Sequence, residues 1–72
     1  MNAHDTQVIH RCVRDCAQAR DGRGRWRQER ACAAQLLADG ASPAIAKATA
    51  RAAAAVGRAI SAAVRRTGCG AP

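Results

Sequence analysis

The chain has 72 residues, of which 12 are lysine or arginine and five are aspartate or glutamate, giving a formal net charge of +7. This length accommodates one small domain and excludes a second domain or a large hydrophobic core. Because twenty of the residues are alanine, we expect oligomerisation or partner binding to help stabilise the fold.

The sequence shows no pattern of an enzyme. It has no Gly-rich phosphate loop, no nucleophile elbow and no paired carboxylates at catalytic spacing. No apolar run approaches the roughly 20 residues of a membrane span, and the N-terminus lacks the regions of a signal peptide. We therefore predict a cytoplasmic protein that is not an enzyme, has no cofactor and does not bind membranes.

Two glycine-containing stretches, "DGRG" at 21–24 and "DGASP" at 39–43, divide the chain into three helical segments without strand-like alternation. The sequence predicts an all-α domain over 1–67. A helical hairpin of 3–19 and 25–38 precedes a long alanine-rich helix over 43–66. The sequence allows this helix to be either continuous or broken near 50–52. Residues 68–72, with Cys69, are predicted to be a flexible tail.

The first segment carries its larger apolar residues at the spacing of one helix face. These residues are Ile9, Cys12, Val13, Cys16 and Ala17. Asn2 is a candidate N-cap, and Asp5 suits the positive end of the helix. His4 is expected to be an exposed polar residue near the helix start.

In the second segment, Trp26 lies in register with Ala33 and Leu37, beside Cys32 and Leu36. This register favours a core position for Trp26. The alternatives for this side chain are stacking on a base or anchoring a protein interface. Glycine at position 40 predicts the end of the helix.

The third segment begins with Ser42 as N-cap and Pro43 in the first turn. Its larger apolar residues form a stripe that we predict to be the packing face, comprising Ile45, Val56, Ile60 and Val64 with Thr49, Ala52, Ala59 and Ala63 between them. A second, cationic stripe consists of Lys47, Arg51, Arg58 and Arg65 at intervals of 4, 7 and 7 residues. One packing face and one basic face indicate an interaction helix.

The stretch "LLADGASPAIAKATARAAAAVGRAI", residues 36–60, resembles the helix-turn-helix of LuxR-type and sigma-like regulators of bacteria and phages. The residues in register are Leu36, Leu37, Gly40, Ser42, Ile45, Ala46, Val56 and Ile60. The resemblance implies DNA binding. Residues 52–55 are alanine where the family presents polar groups to bases, and the expected turn glycine is Ala50. Phosphate contacts should therefore dominate over base readout.

The stretch "RDGRGRWRQER" at 20–30 carries five of the twelve cationic residues and the only aromatic residue. It predicts either a solvated hairpin loop, a minor-groove segment resembling an AT-hook, or part of an electrostatic footprint for a polyanion. Our candidate surface for nucleic acid or a protein partner comprises Arg20, Arg23, Arg25, Trp26, Arg27, Arg30, Lys47, Arg51, Arg58, Arg65 and Arg66.

The cysteines leave three interpretations open. Folding the hairpin brings Cys32 opposite Cys12, with Cys16 one turn away on the same face. Reduced cysteines that pack as small apolar residues are favoured in a reducing compartment, and an oxidising one would allow a disulfide. A zinc site from these three and His10 or Cys69 is the third option, but no Cys-x-x-Cys knuckle supports it and we predict no metal.

Two functional hypotheses follow from the charge and the helical pattern. The first is a small DNA-binding regulator, dimeric and encoded by a phage or mobile element. The second is an inhibitor or adaptor whose basic face docks on an acidic or nucleic-acid-binding surface of a larger host enzyme. The expected partner is therefore nucleic acid or an acidic protein surface, and we expect a homo-oligomer.

Overall fold

The computed structural model describes residues 3–67, which form three helices and no strand: α1 (Ala3–Gln18), α2 (Gly22–Ala38) and α3 (Pro43–Arg66). The predicted all-α, three-helix fold is confirmed. The predictions for Asn2, for the side chain of His4 and for the tail with Cys69 lie outside the described residues.

Helix α2 begins three residues earlier than the sequence predicted. Asp21 is its N-cap, and the Asp21 carboxylate accepts a hydrogen bond of 2.8 Å from the backbone N–H of Gly24. The "DGRG" stretch is therefore a capped first turn, because a side-chain acceptor offsets the unfavourable helix propensity of glycine. The extended backbone of an AT-hook is excluded here, and so is a loop that holds most of the arginines.

Helix α2 ends at Ala38, just before Gly40, as predicted. Gly40 has a φ of 101°, the left-handed conformation that favours glycine. The N–H of Ala41 donates to the carbonyl of Leu36, and the N–H of Gly40 donates to the carbonyl of Leu37, both at 3.0 Å. This pair of bonds is a Schellman motif, which satisfies carbonyls that the helix end would otherwise leave unpaired.

Helix α3 has the predicted start and no break. The backbone N–H of Ile45 donates to Ser42 Oγ at 3.2 Å, and Pro43 occupies the first turn. The helix continues through 50–52 to Arg66, so the interruption left open in the sequence does not occur. Its 24 residues span about 36 Å, and alanine's high helix propensity accounts for the continuity.

The helices alternate in direction along the chain. Ile9 of α1 and Thr49 of α3 line one small cavity, and Cys16 near the end of α1 meets Gly57 further along α3. Helices α1 and α3 therefore run the same way. Helix α2 lies antiparallel to both, since it is joined to each by a short connection.

The core lies where the three helices meet and consists mainly of small side chains. The buried apolar residues are Val8, Cys12, Cys16, Cys32, Leu36, Ala46, Ala50 and Ala53. Of the face predicted for α1, Cys12 and Cys16 are buried, whereas Ile9, Val13 and Ala17 are half-buried. Leu36 is the one leucine among the buried residues, so most of the packing comes from close helix approach.

The prediction that the larger apolar residues of α3 form its packing face is wrong. Ile45, Val56, Ile60 and Val64 are between 43% and 60% exposed. Of the residues expected between them, Ala52 and Ala59 are exposed, and Thr49 and Ala63 are half-buried. A competing line of small residues, 46, 50, 53 and 57, has the same helical spacing and faces the core instead.

Gly57 explains why the small residues face inward. A Cβ atom at this position would lie 2.6 Å from the Cβ of Cys16 and 2.8 Å from the backbone nitrogen of Ala17. Helix α1 therefore lies against α3 more closely than any side chain at position 57 would permit. This contact fixes the rotation of α3 and turns Ile45 and Val56 away from the core. Val64 lies only about 20° around α3 from Gly57, and it is exposed because α3 continues past the end of α1.

The structure also corrects the interpretation of two cysteines. Cys12 and Cys32 form a disulfide that joins α1 to α2, in the hairpin arrangement that places them opposite each other. Cys16 is a free, fully buried cysteine, as expected of a small packing residue. Two of the three candidate metal ligands are thus bonded to each other.

We predict that Gly57→Ala destabilises the fold. Alanine would gain about 1 kcal/mol in helix propensity, but overpacking against the α1 backbone costs about 1 to 3 kcal/mol, so a net loss of up to about 2 kcal/mol is expected. Urea unfolding followed by circular dichroism measures this loss. The matched control is Gly22→Ala, whose new Cβ would have its nearest neighbour, an Arg25 guanidinium nitrogen, at 4.0 Å. A gain in the stability of Gly57→Ala equal to that of Gly22→Ala would contradict the close contact.

We predict that the disulfide stabilises the fold by about 3 kcal/mol, because it closes a loop with a sequence separation of 20 residues. The double variant Cys12→Ala/Cys32→Ala should lose this amount, as measured by urea unfolding. A reducing agent should lower the stability of the wild type towards that of the double variant and leave the double variant unchanged. Insensitivity of the wild type to reduction would show that the bond does not contribute.

Candidate nucleic-acid interface

Three of the four residues in the predicted cationic stripe define one exposed side of α3. Lys47, Arg51 and Arg58 fall within about 40° of one another at 100° per residue, and all three are exposed. We call this side the basic face. Its floor between the cations is made of alanines, namely Ala44, Ala48, Ala52 and Ala55. Arg65 lies in the same direction around α3, about two turns past Arg58, but its side chain donates to Ser61 and lines a different groove.

A cleft of about 370 Å³ connects the basic face to the first turns of α2. Arg51 and Arg58 line it from α3, while Arg25 and Trp26 line it from α2. The early start of α2 produces this juxtaposition, because it places Arg25 and Trp26 on a rigid helix beside α3. Glu29 also lines the cleft and is the acidic group on this surface.

Trp26 is 58% exposed, so the core position favoured by its register with Ala33 and Leu37 is wrong. The Arg30 guanidinium lies 4.9 Å from the centre of its ring, a cation–π contact. The rotation of α2 accounts for the exposure: Cys32 is held toward α1 by the disulfide, and Trp26 lies about 120° away around the helix. Leu37, in the same register, is 46% exposed.

The remaining candidate residues are dispersed over the surface. Arg20 lies in the connection between α1 and α2, and Arg23, Arg27 and Arg30 follow an exposed side of α2. Arg65 and Arg66 lie in the last turn of α3, where positive charge suits the helix C-terminus. Arg65 donates to Ser61 Oγ at 3.5 Å and lines a different groove, between α3 and α1. The structure therefore joins Lys47, Arg51, Arg58, Arg25 and Trp26 into one surface, with Arg30 at its edge through its contact with Trp26. The other candidates lie outside this surface.

The positive charge of the basic face is not neutralised by ion pairs. Within residues 5–67, no carboxylate lies close enough to pair with Lys47, Arg51 or Arg58. Arg14 and Asp15 on α1 do approach each other, at 3.9 Å, and both are solvent-exposed. A line of unpaired cations along an apolar surface can bind the phosphates of a nucleic acid. Binding is favourable because it releases the counterions that these phosphates hold.

Nucleophilic and metal-binding chemistry have little support in the described region. Burial, and secondarily the charges of Glu29 and Asp15, raises the pKa of the Cys16 thiol, so Cys16 is held in its unreactive neutral form. Across the residues that the structure describes, no three potential ligands lie together in a way that could hold a metal. His10, the other candidate ligand, lines the groove between α1 and α3 instead.

Three features of the surface could not be predicted from the sequence. Alanine gave no signal of an apolar strip beside the cations, and nothing indicated that Glu29 lines the cleft with them. The groove between α1 and α3 was missed because Val56, Ile60 and Val64, which line it, were assigned to the core. The signal that identifies it is the second line of small residues ending in Gly57.

The chain matches no known family model, no curated protein and no solved structure. Within the described part of the chain, no helix combines the length and the apolar character needed to cross a bilayer. Residues 36–60, which carry the resemblance to helix-turn-helix regulators, form the end of α2, a turn and a continuous part of α3. Functional inference therefore depends on the chemistry of the surface.

Proposed function

We propose that this protein is a small DNA-binding regulator that contacts phosphates through its basic face. The observation that carries the proposal is the unpaired line of Lys47, Arg51 and Arg58, which continues across the cleft to Arg25 and Trp26. Its net charge of +7 adds long-range attraction to a polyanion. DNA binding is also what the resemblance of residues 36–60 to regulators implies. Because α3 is continuous through 50–52, where the turn of those regulators would fall, the proposal uses no separate recognition helix.

The dimensions of the basic face suit a nucleic-acid backbone. From residue 47 to residue 58 the helix rises about 16 Å, which corresponds to about five nucleotide steps at 3.4 Å along one strand. The alanine floor allows the backbone to approach closely. Each guanidinium can then donate to phosphate oxygens in a charge-assisted pair.

Sequence discrimination by this surface should be weak. Alanine methyls can contact a thymine methyl group, but they cannot form the bidentate hydrogen bonds that distinguish bases. Trp26 supplies a different contact, because an exposed indole can stack on any unpaired base. We therefore propose that phosphate contacts provide most of the affinity and that Trp26 engages bases where a strand is open.

The proposal predicts that the double variant Arg51→Gln/Arg58→Gln binds DNA more weakly. Its affinity should also depend less steeply on salt concentration. Binding of a fluorescein-labelled duplex, followed by anisotropy from about 50 mM salt upwards, gives the slope of log affinity against log salt. Loss of two phosphate contacts should reduce that slope by about 1.8. Emission from Trp26, the only aromatic residue, gives a second readout and should be quenched by a single-stranded oligonucleotide.

The matched control is Arg11→Gln/Arg14→Gln, which removes the same charge from α1 and away from the basic face. This variant should change the slope by less than half as much. Equal effects of the two double variants would indicate attraction to net charge alone and would contradict a localised interface. Absence of any DNA binding by the wild type at about 50 mM salt would exclude the function.

A further inference from the structure

A second surface lies on the other side of α3 and is apolar. It is a groove of about 730 Å³ between α1 and the C-terminal half of α3. Val13 and Ala17 line it from α1, and Val56, Ile60 and Val64 line it from α3. The three α3 residues are 43% to 49% exposed, so the isolated chain leaves them largely in contact with water.

The different lengths of the helices leave this groove open. Helix α1 has 16 residues and α3 has 24, so α3 is longer by about 12 Å. Cys16 is in the last turns of α1 and already contacts Gly57. Residues 60–66 of α3 therefore continue past the end of α1, and along this part the groove is lined by α3 alone.

The apolar side chains follow the pattern that receives a helix. Val56, Ile60 and Val64 succeed one another every four residues along α3, and Val13 and Ala17 do the same along α1. Two such rows form a trough in which the apolar face of a third helix can lie. The length of the α3 row, about 12 Å from residue 56 to residue 64, matches about two turns of a bound helix.

The charged groups at the groove are all basic. Arg14 borders it from α1 and Arg65 from α3, with the imidazole of His10 nearby, and no carboxylate is among the lining residues. Asp15, the partner of Arg14 at 3.9 Å, is exposed beside it, and such exposed pairs contribute little. An occupant therefore gains from acidic residues on both flanks of its apolar face.

We propose that this groove binds an amphipathic helix of another protein whose apolar stripe is flanked by glutamate or aspartate. The apolar stripe packs on Val56, Ile60 and Val64, and the carboxylates pair with Arg14 and Arg65. The apolar row is separate from the basic face, because Ile60 lies about 160° around α3 from Arg58. Arg65 lies on the same side of α3 as Arg58, about two turns further along, and borders the groove from there. One chain can thus hold a nucleic acid and an acidic protein helix at the same time.

Charge argues against a second copy of this chain as the occupant. A symmetric pairing of two grooves would gather two Arg14 and two Arg65 side chains around one apolar seam. Like charges brought together in this way oppose association. Each copy also carries a net charge of +7, which adds to the repulsion.

The test uses three labelled helical peptides of roughly 18 residues, about five turns, with anisotropy as the readout. The first has leucine at every third or fourth position and glutamate on both flanks. The second replaces the glutamates by lysine, and the third replaces the leucines by serine. The first should bind at least about tenfold more tightly than either of the others. Equal binding of the serine peptide would overturn the proposal, since it would show attraction to charge alone.

Variants of the protein locate the binding. Ile60→Ser and, independently, Val64→Ser should each weaken binding of the first peptide about tenfold and leave DNA affinity unchanged. Ile45→Ser removes an equally large side chain that is 60% exposed and outside the groove, so it should have no effect. Equal affinity of Ile60→Ser, Ile45→Ser and the wild type would overturn the proposal. So would sedimentation showing that the chain alone dimerises through Ile60.

Discussion

The close contact of α1 with α3 at Cys16 and Gly57 is the constraint on which the rest of the structure depends. At this point the distance between the helices is so short that position 57 has no room for a side chain. Alanines at 46, 50 and 53 continue the same line towards the start of α3. A core of small residues buries less apolar side-chain surface than a core of large ones, but it allows the helix backbones to pack closely. The disulfide between Cys12 and Cys32 compensates for the small core by tying α2 to α1.

The rotation of α3 that follows from this contact determines what the surface can do. With the alanine line inward, Lys47, Arg51 and Arg58 face solvent on the side of α2, whereas Val56 and Ile60 face solvent on the side of α1. A helix rotated so that Val56 and Ile60 faced inward would bury both side chains and would have no apolar groove. Both the basic face and the groove therefore follow from the way in which α3 packs on α1.

The sequence predicts the helices better than it predicts their faces. Helix ends depend on local chemistry. Ser42 and Pro43 therefore predicted the start of α3, and Gly40 predicted the end of α2, without knowledge of the tertiary structure. Asp21 was missed as a cap because two glycines nearby indicated a loop. Which side of α3 is buried depends on the neighbouring helices, and two stripes of α3 have a spacing that suits a buried face. The large size of the isoleucines and valines favoured burial of their stripe. The close approach of α1 at Gly57 instead requires burial of the stripe of small residues. The cationic stripe was predictable because charge stays in solvent, but its junction with Arg25 and Trp26 required the tertiary structure.

Solvent accessibility of methyl groups tests most directly which face of α3 is buried. The measurement is nuclear magnetic resonance of a sample labelled at alanine, valine and isoleucine methyls, with a soluble paramagnetic agent and a concentration at which the chain is monomeric. The methyl signals of Ala46, Ala50 and Ala53 should be protected, and those of Ile45 and Val56, which are 60% and 49% exposed, should be strongly broadened. Protection of Ile45 and Val56 with broadening of the three alanines would contradict the account.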